Sequence, residues 1–249
     1  MRLGGRLAAA IEVLDDIARR RRPAADALKD WGLSHRFAGS GDRSAIGNIV
    51  YDALRRKRSA SWLFDTDDSR ALGYGALLIE WNETPEGLNS VLVGDRFAPP
   101  PLTDHEIAFL QSRKLAEAPA EVQADVPDWC VPLFQQAYGG DWVAEAKALS
   151  ERPPLDLRVN TLKADREKVL AELSGMKATF TVLSGDGIRI PPIDGSGRHP
   201  NVQAEPAFQK GWFEVQDEGS QMVAALAGAT ASMQVLDYCA GAGGKTLAL

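Results

Sequence analysis

The chain has 249 residues, 45% apolar and 25% charged, with a formal net charge of −6, which excludes wholesale disorder and suits two domains with their own cores. Two cysteines (Cys130, Cys239) and three histidines match no disulfide framework or zinc spacing, so no metal is expected. No apolar run approaches the ~20 residues of a membrane-spanning helix and no signal peptide stands at the start; a cytoplasmic monomer without a membrane partner is expected. The charge is uneven, since residues 1–60 hold 13 Lys and Arg against 7 Asp and Glu while the remainder holds 15 against 27.

The first segment is helical by period. Leu3, Leu7, Ile11, Leu14 and Ala18 fall on one stripe, and Ile46, Ile49, Val50, Ala53 and Leu54 on another. Each stripe ends in a basic cluster: Arg19, Arg20, Arg21 and Arg22 after the first, and Arg55, Arg56, Lys57 and Arg58 after the second. Such clusters are either solvated helix ends favoured by the helix dipole or the footprint of phosphate binding. Between the stripes, Pro23 predicts the start of a short helix that Gly32 stops. "SRALGYGALLIEWN" and "TPEGLNSVLV" predict two more, and Thr103 with Glu106 forms a capping box before a further one.

"VPDWCVPLFQQAYGG" and a segment with Asp141 as its N-cap continue the helical pattern until Pro153 and Pro154 end it. "LDLRVN" then alternates as a half-buried strand, with Asp156, Arg158 and Asn160 on its polar face. A helix through Val169, Leu170 and Leu173 and strands "ATFTVL" and "GIRI" complete a small α/β subdomain. From "GWFEV" the pattern is strand, helix with Asp217 as N-cap, strand "MQVLDY", glycine turn and helix start, the opening of a parallel α/β unit. The tryptophans at 31, 62, 81, 129 and 142 fall in helical stretches and are expected in the core.

The turn "LDYCAGAGGKT" admits three ligands. A nucleotide phosphate loop needs glycine where Cys239 stands, and a dinucleotide fingerprint needs its third glycine at Thr246. A methyl-donor site fits better: an acid, Asp237, ends the strand, small residues allow close approach, and a helix N-terminus suits a ligand carboxylate. A plain tight turn with a solvated Lys245 is the bland reading.

Three stretches in order carry a resemblance. "LDYCAGAGGKT" resembles the first motif of RsmB-type (Sun, Nop, Fmu) RNA cytosine-5 methyltransferases, D-x-C-A-A-P-G-G-K-T; "LRVNTLK" (157–163) and "FEVQDEGSQMVA" (213–224) are similar to two upstream segments of the same family. Residues 41–63 resemble its N-terminal helical domain, which is similar to the RNA-binding antitermination protein NusB. The resemblance implies S-adenosylmethionine as cofactor, bound by Cys239, Ala240, Gly241, Ala242, Gly243, Gly244 and Lys245, and RNA, ribosomal in the first instance, as partner of the two basic clusters. Gly241 and Ala242 replace the family's Ala and Pro, which loosens the turn.

Family members add a cysteine thiolate to carbon 6 of cytosine so that carbon 5 takes the methyl group. The motifs bearing that cysteine follow the donor loop, so no catalytic residue is assigned here, and Cys130 is expected as a buried hydrophobe. The chain is expected to be an N-terminal portion, inactive alone, with an incomplete donor site. The expected architecture is multidomain, α plus α/β: a NusB-like helical bundle over 1–115, linker helices and a small α/β subdomain over 116–205, and the truncated start of a Rossmann-like methyltransferase domain over 206–249. The alternative, from another class, is a non-catalytic RNA-binding protein with a vestigial donor loop.

Overall fold

The structure is a computed structural model that describes residues 1–197 and 199–249. They form two compact units: Met1–Arg152 with the segment starting at Asp194, and a second unit made by the rest of the described chain.

The first unit is helical: α1 (Leu3–Arg20), α2 (Ala24–Ser34), α3 (Ser40–Arg55), α4 (Lys57–Phe64), α5 (Ser69–Glu80), α6 (Pro85–Leu92), α7 (Asp104–Gln111), α8 (Ala120–Gln123), α9 (Val131–Tyr138) and α10 (Trp142–Ser150). The two apolar stripes face one core except at their ends, where Ala18 and Leu54 are exposed. Leu7, Ala10, Val13 and Leu14 of α1 meet Ile46, Ile49, Val50 and Ala53 of α3 and Tyr74 and Leu77 of α5, all nearly inaccessible. Each large aliphatic side chain so buried contributes roughly 1.5–3 kcal/mol. Gly75 lets α5 approach α4, because a Cβ there would lie 2.4 Å from the Ala60 Cβ.

Caps set the helix ends. Asp68 accepts from the Ala71 amide, Thr84 from Gly87, and Thr103 with Glu106 forms the expected box. Two expectations fail. α2 runs through Gly32 to Ser34, because Gly32 is buried against the Arg43 side chain, and packing there outweighs its poor propensity. Asp141 does not cap α10: it sits in helical backbone (φ −90°, ψ 0°) within a 3₁₀ turn, whereas a capping side chain needs extended backbone to reach the free amides. Residues 120–152, expected as linker helices, pack with the bundle. Asp125, after α8, accepts from the backbone and hydroxyl of Ser59 in α4 at 2.8 and 2.7 Å.

Asp52 of α3 is wholly buried. It accepts from Trp81 Nε1 at 3.0 Å, from Arg55 at 3.1 Å and from both Nε and Nη2 of Arg152. Arg56 beside it pairs with Glu80 and Asp125 and donates to Ser150.

The second unit is built from β1 (Leu155–Val159), α11 (Arg166–Glu172), β2 (Thr179–Phe180), β3 (Gly187–Ile190), α12 (Pro206–Gln209), β4 (Phe213–Val215) and α13 (Glu218–Leu226). The strands order β2-β3-β1-β4 with every neighbour antiparallel, so the path β-α-β-β-α-β is a split βαβ, ferredoxin-like arrangement. The strand expected to open a parallel unit, β4, instead pairs antiparallel with β1, Leu157 opposite Val215. β2 is shorter than "ATFTVL" suggests, because Thr181 turns the chain by donating from its hydroxyl to the Ser184 carbonyl at 3.1 Å.

One sheet face carries Leu157, Val159, Ile188, Ile190 and Phe213 in a core with Val169 and Leu173. The other, the polar face of the strand pattern, lies under α13. Asp156 is buried there, 4% exposed, because it pairs with Arg189 through two 2.7 Å bonds and accepts the Glu218 amide at 3.0 Å.

Two substitutions test this packing. Gly75→Ala is expected to lower the unfolding free energy in urea by about 1–2 kcal/mol, overpacking (~1–3 kcal/mol) exceeding the ~1 kcal/mol helix-propensity gain; an unchanged midpoint would mean α4 and α5 are not in close contact. Asp52→Ala removes the buried carboxylate on which Arg152, Arg55 and Trp81 converge, and a loss of about 3–5 kcal/mol is expected. A loss under ~1 kcal/mol would show that the pair is solvated.

Candidate functional site

The three sequence signatures meet in the second unit. Arg158 of β1 stands opposite Glu214 of β4 and donates from Nε to Gln216 Oε1 at 2.6 Å. Asn160, next in the same signature, ties strand to loop: its amide donates to the Gly211 carbonyl at 3.0 Å and its carbonyl accepts from the Leu162 amide. Because Arg158 can only donate, it fixes which way the Gln216 carboxamide points. Gln216 is 7% exposed, and its Nε2 is buried without a partner. That nitrogen faces the glycine loop, 3.7 Å from where a Cβ on Gly244 would stand.

A cleft of about 260 Å³ opens there, lined by Gln216, Asp217 and Ser220 on one wall and Asp237, Cys239, Ala240, Gly244 and Lys245 on the other. The first wall is rigid by construction. Asp217 caps α13 through the Ser220 amide, and Gln221 donates to the carbonyls of Leu157 and Gln216. Burial alone would raise the Glu218 carboxyl, but the amides of Ser184 and Leu183, at 3.0 and 2.6 Å, outweigh it and hold the group below the usual carboxylate range.

The second wall departs from expectation. Residues 233–238 form no strand, and the turn leads into one 3₁₀ turn, Thr246–Ala248. Among the described residues nothing pairs with this segment, so no ladder offsets the ordering cost of an extended backbone. Leu236 and Tyr238 stay 85% and 90% exposed. The loop is held locally: Thr246 donates to Asp237 at 2.7 Å and the Gly243 amide to the Ala240 carbonyl at 2.8 Å. Gly241 and Gly243 adopt φ of +56° and +82°, the left-handed region that favours glycine. Of the seven expected donor-loop residues, Cys239, Ala240, Gly244 and Lys245 line the cleft; Gly241, Ala242 and Gly243 shape the turn behind it. Sequence reasoning misses Ser220 and the Arg158–Gln216 bond. The shared spacing of the two upstream signatures was the available signal.

The basic clusters lie in the helical unit and are largely answered by acids. Arg19 pairs with Asp15 at 3.7 Å, Arg20 with Asp16 at 2.9 Å, and Arg22 with Asp16 and Asp30; the Asp30 hydrogen bond raises the Arg22 pKa. Arg21 is the exposed left-handed C-cap of α1. In the second cluster Arg55 bonds Asp52, Arg58 bonds Asp128 at 2.7 Å, Lys57 is exposed, and Arg56 is only 15% exposed. Arg56 is therefore a bundle-holding residue. Cys130 is half-buried beside Val131 and Phe134, and Cys239 is exposed. Among the described residues no group of His, Cys, Asp and Glu is arranged to hold a metal, and no helix is long and apolar enough to cross a membrane.

Residues 126–192 match the family described as Methyltr_RsmF/B-like, ferredoxin-like domain, in agreement with the strand order. The chain is 35% identical over 130 residues to a probable ribosomal RNA small subunit methyltransferase B of Synechocystis sp., covering 50% of this chain and 27% of that protein. It is 35% identical over 123 residues to ribosomal RNA small subunit methyltransferase B of Pseudomonas syringae pv. tomato (48% and 26%) and 34% over 122 residues to that of Escherichia coli (48% and 27%). The match thus spans about a quarter of the length of these relatives. The crystal structure of PH0851 shares the fold over 91% of this chain and 56% of its own, at 16% identity and a TM-score of 0.50.

The Glu218 site makes a pH prediction. A carboxyl held low in the folded state contributes stability that is complete above its unfolded pKa and is lost as pH falls through the folded one. The wild type is expected to lose more stability on acidification through that window than Glu218→Gln. Parallel urea midpoints for the two proteins across it would remove Glu218 from the linkage.

Proposed function

We propose that the chain belongs to the RsmB-type family and serves S-adenosylmethionine-dependent methylation of RNA, with carbon 5 of a cytosine in ribosomal RNA as acceptor. The observation that carries this reading is that Gln216, oriented by Arg158, faces the glycine loop across one cleft. A methionine-type ligand presents a carboxylate and an ammonium group. Lys245 and the unpartnered Gln216 amide offer donors to the first, and Asp217 and Asp237 offer acceptors to the second. When bound, S-adenosylmethionine supplies an electrophilic methyl group; the residues of this chain bind and orient it. No residue here is given covalent chemistry. The segment from α13 onward is proposed to open the Rossmann-like methyltransferase domain, and the bundle to be NusB-like.

RNA phosphates are proposed to meet the exposed cations Arg19, Arg20, Arg21 and Lys57 and the half-buried Arg58, with the ion pairs at Asp15, Asp16 and Asp128 opening to release them.

Titrating the chain with S-adenosylmethionine is expected to shift the amide resonances of Gln216, Cys239, Gly244 and Lys245, and Gln216→Leu to abolish those shifts. No perturbation at these positions at millimolar ligand would overturn the donor-cleft reading. Charge reversal at Lys57 and Arg58 is expected to reduce the slope of log affinity for RNA against log salt by about 0.7–0.9 for each phosphate no longer neutralised; an unchanged slope removes them from the interface.

A further inference from the structure

A second cavity lies in the helical unit. It has a volume of about 730 Å³, its floor is Gly5, Ala8 and Ala9 of α1, and its walls are aromatic. Trp31 and His35 stack in parallel, centroids 4.3 Å apart at 10°, and His35 Nδ1 is hydrogen-bonded to the Trp31 carbonyl at 2.9 Å. Phe37 stands edge-on to both, at 6.5 and 5.7 Å. The tryptophan expected in the core thus presents part of its ring to a cleft.

Two loops bracket the mouth, and each carries an Arg-Phe pair: "HRF" at 35–37 and "DRF" at 95–97. Each sets an exposed phenylalanine beside an exposed arginine, Phe37 being 71% and Phe97 62% accessible, and Arg96 lies 4.5 Å over the Phe97 ring. Arg2 lines the same cavity. Unlike Arg19, Arg20, Arg22, Arg55 and Arg58, the three cations Arg2, Arg36 and Arg96 form no ion pair with any described residue. At its edge, the exposed Glu12 carboxylate accepts from Trp31 Nε1 at 2.9 Å through one oxygen, leaving the other for a second donor.

An exposed apolar surface this concentrated marks a binding site. We infer that this cleft captures unstacked bases of single-stranded RNA, with the rings of Trp31, Phe37 and Phe97 as stacking surfaces, Glu12 accepting from a base N–H edge, and Arg2, Arg36 and Arg96 meeting the flanking phosphates. Aromatic faces tolerate any base and unpaired cations track a backbone, which is the recurring chemistry of single-strand recognition. An apolar peptide would use the rings but bring no counter-charge to Arg2 and Arg96, which line the cleft, or to the neighbouring Arg36. The inference shares RNA with the functional reading above but rests on neither the donor cleft nor the arginine clusters.

The test uses the 249-residue chain and a labelled, unstructured RNA hexanucleotide, read by anisotropy and by the Trp31 indole resonance. The double variant Phe37→Ala/Phe97→Ala, both positions exposed enough to spare the fold, is expected to bind about tenfold or more weakly with the salt slope unchanged. Arg2→Glu/Arg96→Glu is expected to flatten that slope by about 1–2 units. Charge reversal at Lys57 and Arg58 should leave the indole shift intact, which separates this surface from the clusters. Wild-type affinity in the phenylalanine double variant overturns the inference. So does an indole shift that an apolar helical peptide saturates and the hexanucleotide does not produce.

Discussion

A carboxylate withdrawn from water must find charge partners, and each unit of this protein is organised around one that has. Asp156 matters most for the site. It sits on β1 under the first turn of α13, takes both nitrogens of the Arg189 fork, and accepts the Glu218 amide at the helix N-terminus. Its own carbonyl receives the Gln216 amide at 3.1 Å. Sheet, arginine and helix are therefore registered by a single residue, and the position of Gln216 follows from it. A buried pair of this kind adds little net stability compared with apolar packing, but removing one partner is costly. Its effect is to fix geometry, and the geometry it fixes is one wall of the cleft.

That wall explains why two separate sequence signatures keep company. Arg158 belongs to one and Gln216 to the other, 58 positions apart, and the bond between them orients an amide whose nitrogen has no partner among the described residues. A buried donor left unsatisfied costs roughly 1–3 kcal/mol. The cost is offset if a ligand acceptor arrives, so the same atom that weakens the folded protein strengthens its complex. The glycine wall opposite has no comparable support; it relies on a threonine–aspartate bond and short-range turns.

Local signals were legible where physics is local. The apolar stripes of α1 and α3, the caps at Thr103 and Asp217 and the strand pattern of β1 and β3 all follow from spacing, and they stand where expected. What depended on a distant partner was not. Asp156, Arg158 and Gln216 look like a polar outer face until α13 covers it. Strand "GWFEV" carries no mark of whether its neighbour will be β1 or a later strand, and pairing sense is settled by the sheet edge that β1 leaves free. "MQVLDY" has strand composition, yet β-propensity describes fit to a neighbouring surface, and none is supplied.

Charge shows the same limit from the other side. The basic excess of the first 60 residues points to a polyanion, yet counting residues does not say which cations are available. Arg56 is spent on Glu80 and Asp125 inside the bundle, and Arg22 on Asp16 and Asp30. A phosphate competing for these must first break pairs that are partly shielded from water, whereas Arg2, Arg36 and Arg96 require no such exchange. Coulomb attraction between exposed groups is screened over ~8–10 Å at ordinary salt, so contact is decided by local availability more than by the sum of charge. Where unpaired cations stand beside exposed aromatic rings, attraction to phosphate and stacking on bases act at the same place. Neither alone would distinguish a single-stranded polyanion from an apolar ligand or from any acidic surface; together they do.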